Sequence, residues 1–436
     1  MKKIKSKNHL KDCVVIGFAL FSMFFGAGNV IFPPYLGLQS GSEWLLGFVA
    51  YYISDIGLAM LTIFVLLRTD GPDGITGHLG KVPAALLMSV VVLCIGPLVA
   101  IPRTAATTFE MSVLPLLPSA SSLVVSIIFF ALILLLCIKE SAVVDIVGKV
   151  LTPLLLLGLL VLIIKGIVSP LGTPSDMTWV DSVVSTGLKA GYQTMDVLAA
   201  MVFGIIILKS AADKGYKDSA ERNGIVQGAA ILSGVLLLVV YLGLAYLGAS
   251  VSRIYKTPLT RAELIINIVT LLLGKVGVAV FGIVVALACV TTAVALVSSA
   301  ASFFCNLSGG KIKYSLLVTI ICVFSAAAAN LGLDRIIAFA SPILNVVYPP
   351  MLVIILLSIA GDKLPDWLYR VCVGAALVFS AVCTFNRGKF VTSLPLYGMD
   401  LAWLLPTLVV LALCLVVNLV LKRRPDDDAE IEIEEA

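Results

Sequence analysis

The sequence predicts an all-α integral membrane protein of about twelve transmembrane helices, and three observations carry that expectation. Of its 436 residues, 60% are hydrophobic and 13% charged, with a mean hydropathy of +1.09, whereas soluble domains run at about 45–50% apolar and about 25% charged. Apolar runs of about 20 residues, long enough to cross a bilayer, alternate with short polar connections. Lysine and arginine favour every second connection, as expected of loops that stay in the cytoplasm.

In chain order the expected spans are about 13–37, 43–67, 82–113, 121–138, 142–168, 187–209, 222–248, 272–304, 314–331, 334–358, 366–384 and 400–421. A basic start (Lys2, Lys3, Lys5, Lys7, Lys11) resembles a signal peptide, but no small-residue cleavage pattern ends the following apolar run before Pro33-Pro34, so it is kept as the first span. With both termini inside, the cytoplasmic segments, termini included, hold Lys81, Lys139, Lys149, Lys209, Lys214, Lys217, Lys311, Lys313 and Lys363 among others, and the external ones fewer than half as many basic residues. Tyr255 to Leu273 is only moderately apolar and carries Arg261 and Glu263, which reads as an external helix. The nine cysteines are scattered singly and read as small core residues. The run from Asp426 to Glu435 reads as a solvated acidic tail over about 423–436.

Four groups of residues carry chemistry. Span 1 reads Phe24-Phe25-Gly26-Ala27-Gly28-Asn29-Val30-Ile31-Phe32-Pro33-Pro34, which argues against a continuous helix. Backbone groups freed by a break must face protein or a polar cavity, and the start of the next half-helix offers N–H groups and a positive dipole end to a carboxylate; a kink used only for packing is the competing explanation. Span 6 enters the membrane through Gly191-Tyr192-Gln193-Thr194-Met195-Asp196 and turns apolar through Phe203. Interruptions at corresponding places in two halves of a transporter point to its binding site, unless 187–196 is the shoulder of an unbroken helix. Asp196 and Asp55 are carboxylates at membrane depth, each suited to a cation or a proton or else satisfied by a neighbouring helix. In span 8, Thr291 and Thr292 offer hard hydroxyl oxygens, which also serve to bridge helices.

Arg103 and Glu110 share a face of span 3 about 10 Å apart along its axis, so they pair across to other helices or snorkel outward, or else serve an outer gate. In span 10, Asn345-Val346-Val347-Tyr348-Pro349-Pro350 echoes span 1 and suggests a second breakable helix. Both histidines, His9 and His78, lie outside the spans, and neither HExxH nor a phosphate loop is present.

The stretches Phe18 to Asn29, Gly96 to Thr104, Gly191 to Asp196 and Thr291-Thr292-Ala293 together resemble the bacterial branched-chain amino acid:cation symporters of the BrnQ type. That resemblance implies a LeuT-like fold of five-plus-five inverted repeats with broken helices 1 and 6: repeat one over about 13–168, repeat two over about 187–358, and two extra helices over about 366–421, in one transporter domain spanning 1–422. It also implies that Gly26, Ala27, Gly28 and Asn29 meet the substrate's carboxylate, and that carbonyls near Ser22 and Phe25 join Thr291 and Thr292 around sodium. Roles for Tyr192, Gln193, Thr194 and Asp196 rest on position and chemistry.

The resulting expectation is a secondary transporter that imports leucine, isoleucine or valine with sodium across the bacterial cytoplasmic membrane. The substrate's ammonium would rest on carbonyl ends of span 6, with no buried charged partner, and its side chain on an apolar wall including Phe203. Coupling or gating falls to Asp196, Asp55, Arg103 or Glu110. The expected partners are the amino acid and the lipid bilayer, with no nucleic acid and no cofactor beyond the sodium ion. Proton coupling with other small apolar amino acids is the alternative; a membrane-embedded enzyme lacks a recognisable motif, and a channel lacks a repeated pore ring.

Overall fold

The computed structural model describes residues 8–69, 71–138, 152–255, 257, 259–386, 389–399 and 401–423. The start of the fifth expected span (142–151), Lys139, Lys149 and the acidic tail beyond residue 423 lie outside the described residues. Every other expected span is helical, and no strand occurs among the described residues. Among the described residues, eight helical stretches suffice by length and composition to cross a membrane, and three shorter apolar helices, Ser122–Ile138, Thr152–Val168 and Tyr314–Ala329, accompany them.

The first span is two helices, α1 (His9–Phe24) and α2 (Ala27–Ser40). The chain reverses at Gly41, whose φ of +53° and 2.4 Å clearance from Ser175 O to a would-be Cβ demand glycine. The second span is α3 (Trp44–Tyr52), a π-helical turn at Ile53–Gly57 and α4 (Leu58–Arg68). The third is α5 (Lys81–Leu93), an irregular turn containing Gly96 and Pro97, and α6 (Ala100–Thr108). After α7 (Ser122–Ile138) and α8 (Thr152–Val168), the sixth span is again two helices, α9 (Val183–Thr194) and α10 (Asp196–Asp213).

Helix α11 (Ser219–Ser250) packs against both halves of span 1. Its approach to α2 is so close that a Cβ on Gly248 would lie 1.8 Å from Pro34 O, and one on Gly37 1.9 Å from Ala245 O. Helix α12 (Arg261–Leu307) opens with a capping box between Thr260 and Glu263 and kinks at Gly274 (φ 65°, ψ −165°), which separates the arm expected up to Leu273 from the long apolar run. Arg261 ties that arm to Asp334 and lies 4.8 Å over the Tyr35 ring.

Helices α13 (Tyr314–Ala329), α14 (Leu333–Ser358), α15 (Asp366–Phe385) and α16 (Leu404–Arg423) complete the bundle. The echo in span 10 does not break the chain: α14 runs continuously through Pro342, Pro349 and Pro350. Pro350 cannot donate to the carbonyl of Val346 one turn back, and Ser380 Oγ of α15 donates to that carbonyl instead, at 3.0 Å. The prolines of span 1 likewise sit inside α2, with the break before them.

Candidate substrate and cation site

At the first break Phe25 (ψ 80°) and Gly26 (φ −110°, ψ −165°) leave helical geometry, and α2 restarts at Ala27. Of the first-turn N–H groups of α2, that of Asn29 donates to Gly26 O at 3.2 Å, while those of Ala27 and Gly28 have no backbone acceptor and form the positive end of the helix dipole. Close approach explains both glycines: a Cβ on Gly26 would lie 3.1 Å from Thr292 Oγ1, and one on Gly28 2.8 Å from an Arg103 guanidinium nitrogen. Asn29 Nδ2 donates to Asp196 Oδ2 at 2.7 Å and also to the Tyr241 hydroxyl.

The second break turns on Met195, held in the left-handed region (φ 70°, ψ 17°), where a side chain costs about 1–2 kcal/mol. It brings the carboxyl end of α9 and the amino end of α10 to one place. Asp196, in the first turn of α10, is buried and bonded to Asn29, so the two breaks are joined directly.

The carbonyls at the end of α9, the expected ammonium site, each already accept a hydrogen bond from a cationic side chain. Arg103 of α6 donates through Nη1 to Gln193 O at 2.6 Å and through Nη2 to Thr194 O at 3.1 Å. It is only 5% exposed, so a buried cation stands beside the site, contrary to the expectation of none. Arg103 thus pairs across to another helix rather than snorkelling outward. Its neighbour in the expected gate is elsewhere: Glu110 Oε1 accepts from the Leu333 amide at 2.9 Å and caps the start of α14.

Asp55 lies in the π-helical turn of span 2, fully buried. Its Oδ1 accepts from Thr194 Oγ1 at 2.7 Å, while Oδ2 has no partner. Gly191 permits this contact, since a Cβ there would lie 2.1 Å from Ser54 Oγ and 3.1 Å from the Asp55 amide. Such π turns are frequent at functional sites.

On the other side of the first break, oxygen atoms gather between α1 and α12. Ser22 Oγ is 3.2 Å from Thr291 Oγ1, and Thr292 Oγ1 lies 3.4 Å from Ser22 O and 3.5 Å from Met23 O. The carbonyls at these hydroxyls are therefore those of Ser22 and Met23; the Phe25 ring stacks on Phe21, 5.5 Å away.

A narrow cavity, with about 20 Å³ open to the centre of a water-sized sphere, lies between the breaks. Gly26, Ala27, Asn29, Thr194, Asp196, Arg103, Thr292 and Phe203 line it, together with Phe24, Ile95, Ala199 and Leu296. Gly28 stands behind Arg103, and Thr291 beside Ser22. Tyr192 and Gln193 do not line it: the Tyr192 ring stacks on Tyr348 at 4.4 Å, and Gln193 contributes its backbone carbonyl to Arg103. Sequence reasoning missed Tyr241, Met23, Thr104 and Leu296, and only Tyr241, a hydroxyl in the otherwise apolar middle of span 7, carried a signal.

Residues 9–421 match the family described as branched-chain amino acid transport protein. The chain belongs to that family. Its members are transporters, so the protein is a multi-pass membrane transporter and not an enzyme. The chain is 33% identical over 419 residues to the branched-chain amino acid permease BraB of Bacillus subtilis, covering 92% of this chain and 94% of that one. It is 34% identical over 428 residues to the branched-chain amino acid transport system 3 carrier protein of Pseudomonas aeruginosa (94% and 96%), and 33% identical over 425 residues to BrnQ of Escherichia coli K12 (93% and 95%). Among solved structures it resembles Mhp1, a nucleobase-cation-symport-1 family transporter, with a TM-score of 0.62 at 13% identity over 95% of this chain and 93% of that one. It resembles a Na+-coupled sialic acid symporter with a TM-score of 0.60, also at 13% identity, over 92% and 90%. These likenesses concern the fold, which is LeuT-like.

Proposed function

We propose that this protein carries leucine, isoleucine or valine into the cell by symport with sodium, alternating access about the cavity between the two breaks. The observation that carries the reading is the make-up of that cavity, lined by the start of α2 and the Asp196 carboxylate together with the apolar Phe24, Ile95, Phe203 and Leu296. A zwitterion with an aliphatic side chain suits it: carboxylate on α2, ammonium toward Asp196, branched chain on the apolar wall. The names of the permease relatives agree with this substrate class. Discrimination among the three amino acids is modest, since one methylene in an apolar pocket is worth about 1–3 kcal/mol.

Sodium is assigned to the oxygens of Ser22, Met23, Thr291 and Thr292, hard ligands of the kind alkali and alkaline-earth cations prefer. Beside the first break, a cation there steadies the same α1 end that opens onto the substrate. Coupling follows if both ligands favour one conformation over the other. The basic-residue bias favours cytoplasmic termini. A second reading, with a proton in place of sodium, is favoured by the unpartnered Asp55 Oδ2.

Uptake of labelled leucine into proteoliposomes of the whole chain, under an inward sodium gradient, a proton gradient or neither, tests the proposal. Accumulation under sodium is expected, and Thr291→Ala with Thr292→Ala raises the sodium concentration for half-maximal uptake. Accumulation under the proton gradient alone selects the second reading, and none under any gradient overturns both.

A further inference from the structure

We propose that Arg103 is the side-chain anchor of the substrate's carboxylate, acting together with the first-turn N–H groups of α2; the inference rests on the amino-acid reading above and goes beyond it. A guanidinium has five N–H donors. The end of α9 takes one from each terminal nitrogen, at Gln193 O and Thr194 O. Nε is buried without any acceptor. Among the described residues no carboxylate lies within ion-pair distance of the group: Asp196 is bonded by Asn29 and Asp55 by Thr194. Asp196 and Asp55 act on it only through space, so this desolvated cation has no directly bonded anion, which is unfavourable, and the side chain lines the cavity.

The surroundings define the missing partner. Gly28 brings the first turn of α2 against the guanidinium, with 2.8 Å from a would-be Cβ to Nη2, so a helix amino terminus and a fixed positive charge converge on one spot. Both favour an anion, and the planar fork of arginine suits the two oxygens of a carboxylate. The α9 carbonyls fix the fork's plane, so the anchor is already oriented when substrate arrives. Were Arg103 only a cap for α9, its removal would weaken ligands with and without a carboxylate alike.

Binding to the purified full-length protein, measured with leucine, leucinamide and 4-methylpentanoate, separates these roles. Leucinamide keeps the ammonium and lacks the carboxylate; 4-methylpentanoate does the reverse. Wild type is expected to favour leucine over leucinamide by about tenfold or more, and Arg103→Gln to collapse that ratio toward one, mainly by weakening leucine. Gly28→Ala, which keeps the arginine but drives a methyl against Nη2, reproduces the collapse in milder form and serves if Arg103→Gln does not fold. An unchanged ratio in whichever variant folds overturns the anchor while leaving the amino-acid reading intact. Arg103-dependent binding of 4-methylpentanoate without binding of leucine keeps the anchor and sinks the amino-acid reading. Failure of wild type to bind any of the three overturns both.

Discussion

The two breaks that face the cavity use opposite ends of the helix backbone and end in opposite states. At Gly26 the chain leaves the helix in an extended conformation, and the amides of Ala27 and Gly28 that open α2 have no backbone acceptor. At Met195 it leaves through a left-handed residue, and the acceptors that close α9 are held by Arg103. One break is therefore open to an anion, while the other is plugged by a cation. Asp196, the carboxylate at the second break, is linked to the first break through Asn29.

Each break is braced by a glycine contact, and removing the brace is the largest test of the comparison. In Gly248→Ala the new methyl meets the carbonyl of Pro34, a backbone atom that cannot swing aside. Helix α2 must then move off α11, and the destabilisation is expected at the upper end of the ~1–3 kcal/mol typical of overpacking. Thermal unfolding in detergent measures it, and leucine binding should weaken in parallel because the donors of α2 shift with the helix. Wild-type melting and affinity would show that the first break does not depend on this clamp.

A smaller effect is expected at the second break. Thr194→Val keeps the shape of the side chain but removes the hydroxyl that bonds Asp55 Oδ1, leaving both oxygens of a buried carboxylate unpaired. A loss of about 1–3 kcal/mol follows, and Thr194→Ser restores it. If valine is tolerated without change in the melting temperature, Asp55 is not held by Thr194 and the π-helical turn needs another explanation.

Much of this was legible because composition and glycine position report directly on the constraints that made them. A chain that must satisfy its backbone in lipid announces its helices by apolar length, and Gly26 and Gly28, both closely approached by side chains of other helices, announce a break. The second break is marked only by the polar run from Gly191 to Asp196, and its turning residue is hidden, since Met195 is neither glycine nor asparagine yet adopts a left-handed conformation. Arg103 was visible, but its acceptors were not, because Gln193 O and Thr194 O are backbone atoms, and the polar run Gly191 to Asp196 signals an interruption without signalling which side chain meets its carbonyls. Pro349-Pro350 misled for a related reason. The hydroxyl that satisfies Val346 O comes from Ser380, on a different helix, and no local pattern records it.

The smallest expected effect lies at Tyr192, where sequence position and structure disagree most plainly. It sits three residues before the second break, which suggests a substrate ligand, yet its ring stacks on Tyr348 of α14 at 4.4 Å and does not line the cavity. An aromatic pair of this kind contributes about 0.5–1.5 kcal/mol beyond its area, and phenylalanine preserves it. Tyr192→Phe should therefore leave leucine affinity and uptake at wild-type values, whereas Tyr192→Ala should lower the melting temperature through the lost stack. A marked loss of affinity in Tyr192→Phe would mean that its hydroxyl reaches the substrate in another conformation of the transport cycle. The second break would then contribute a ligand of its own rather than only a plugged helix end.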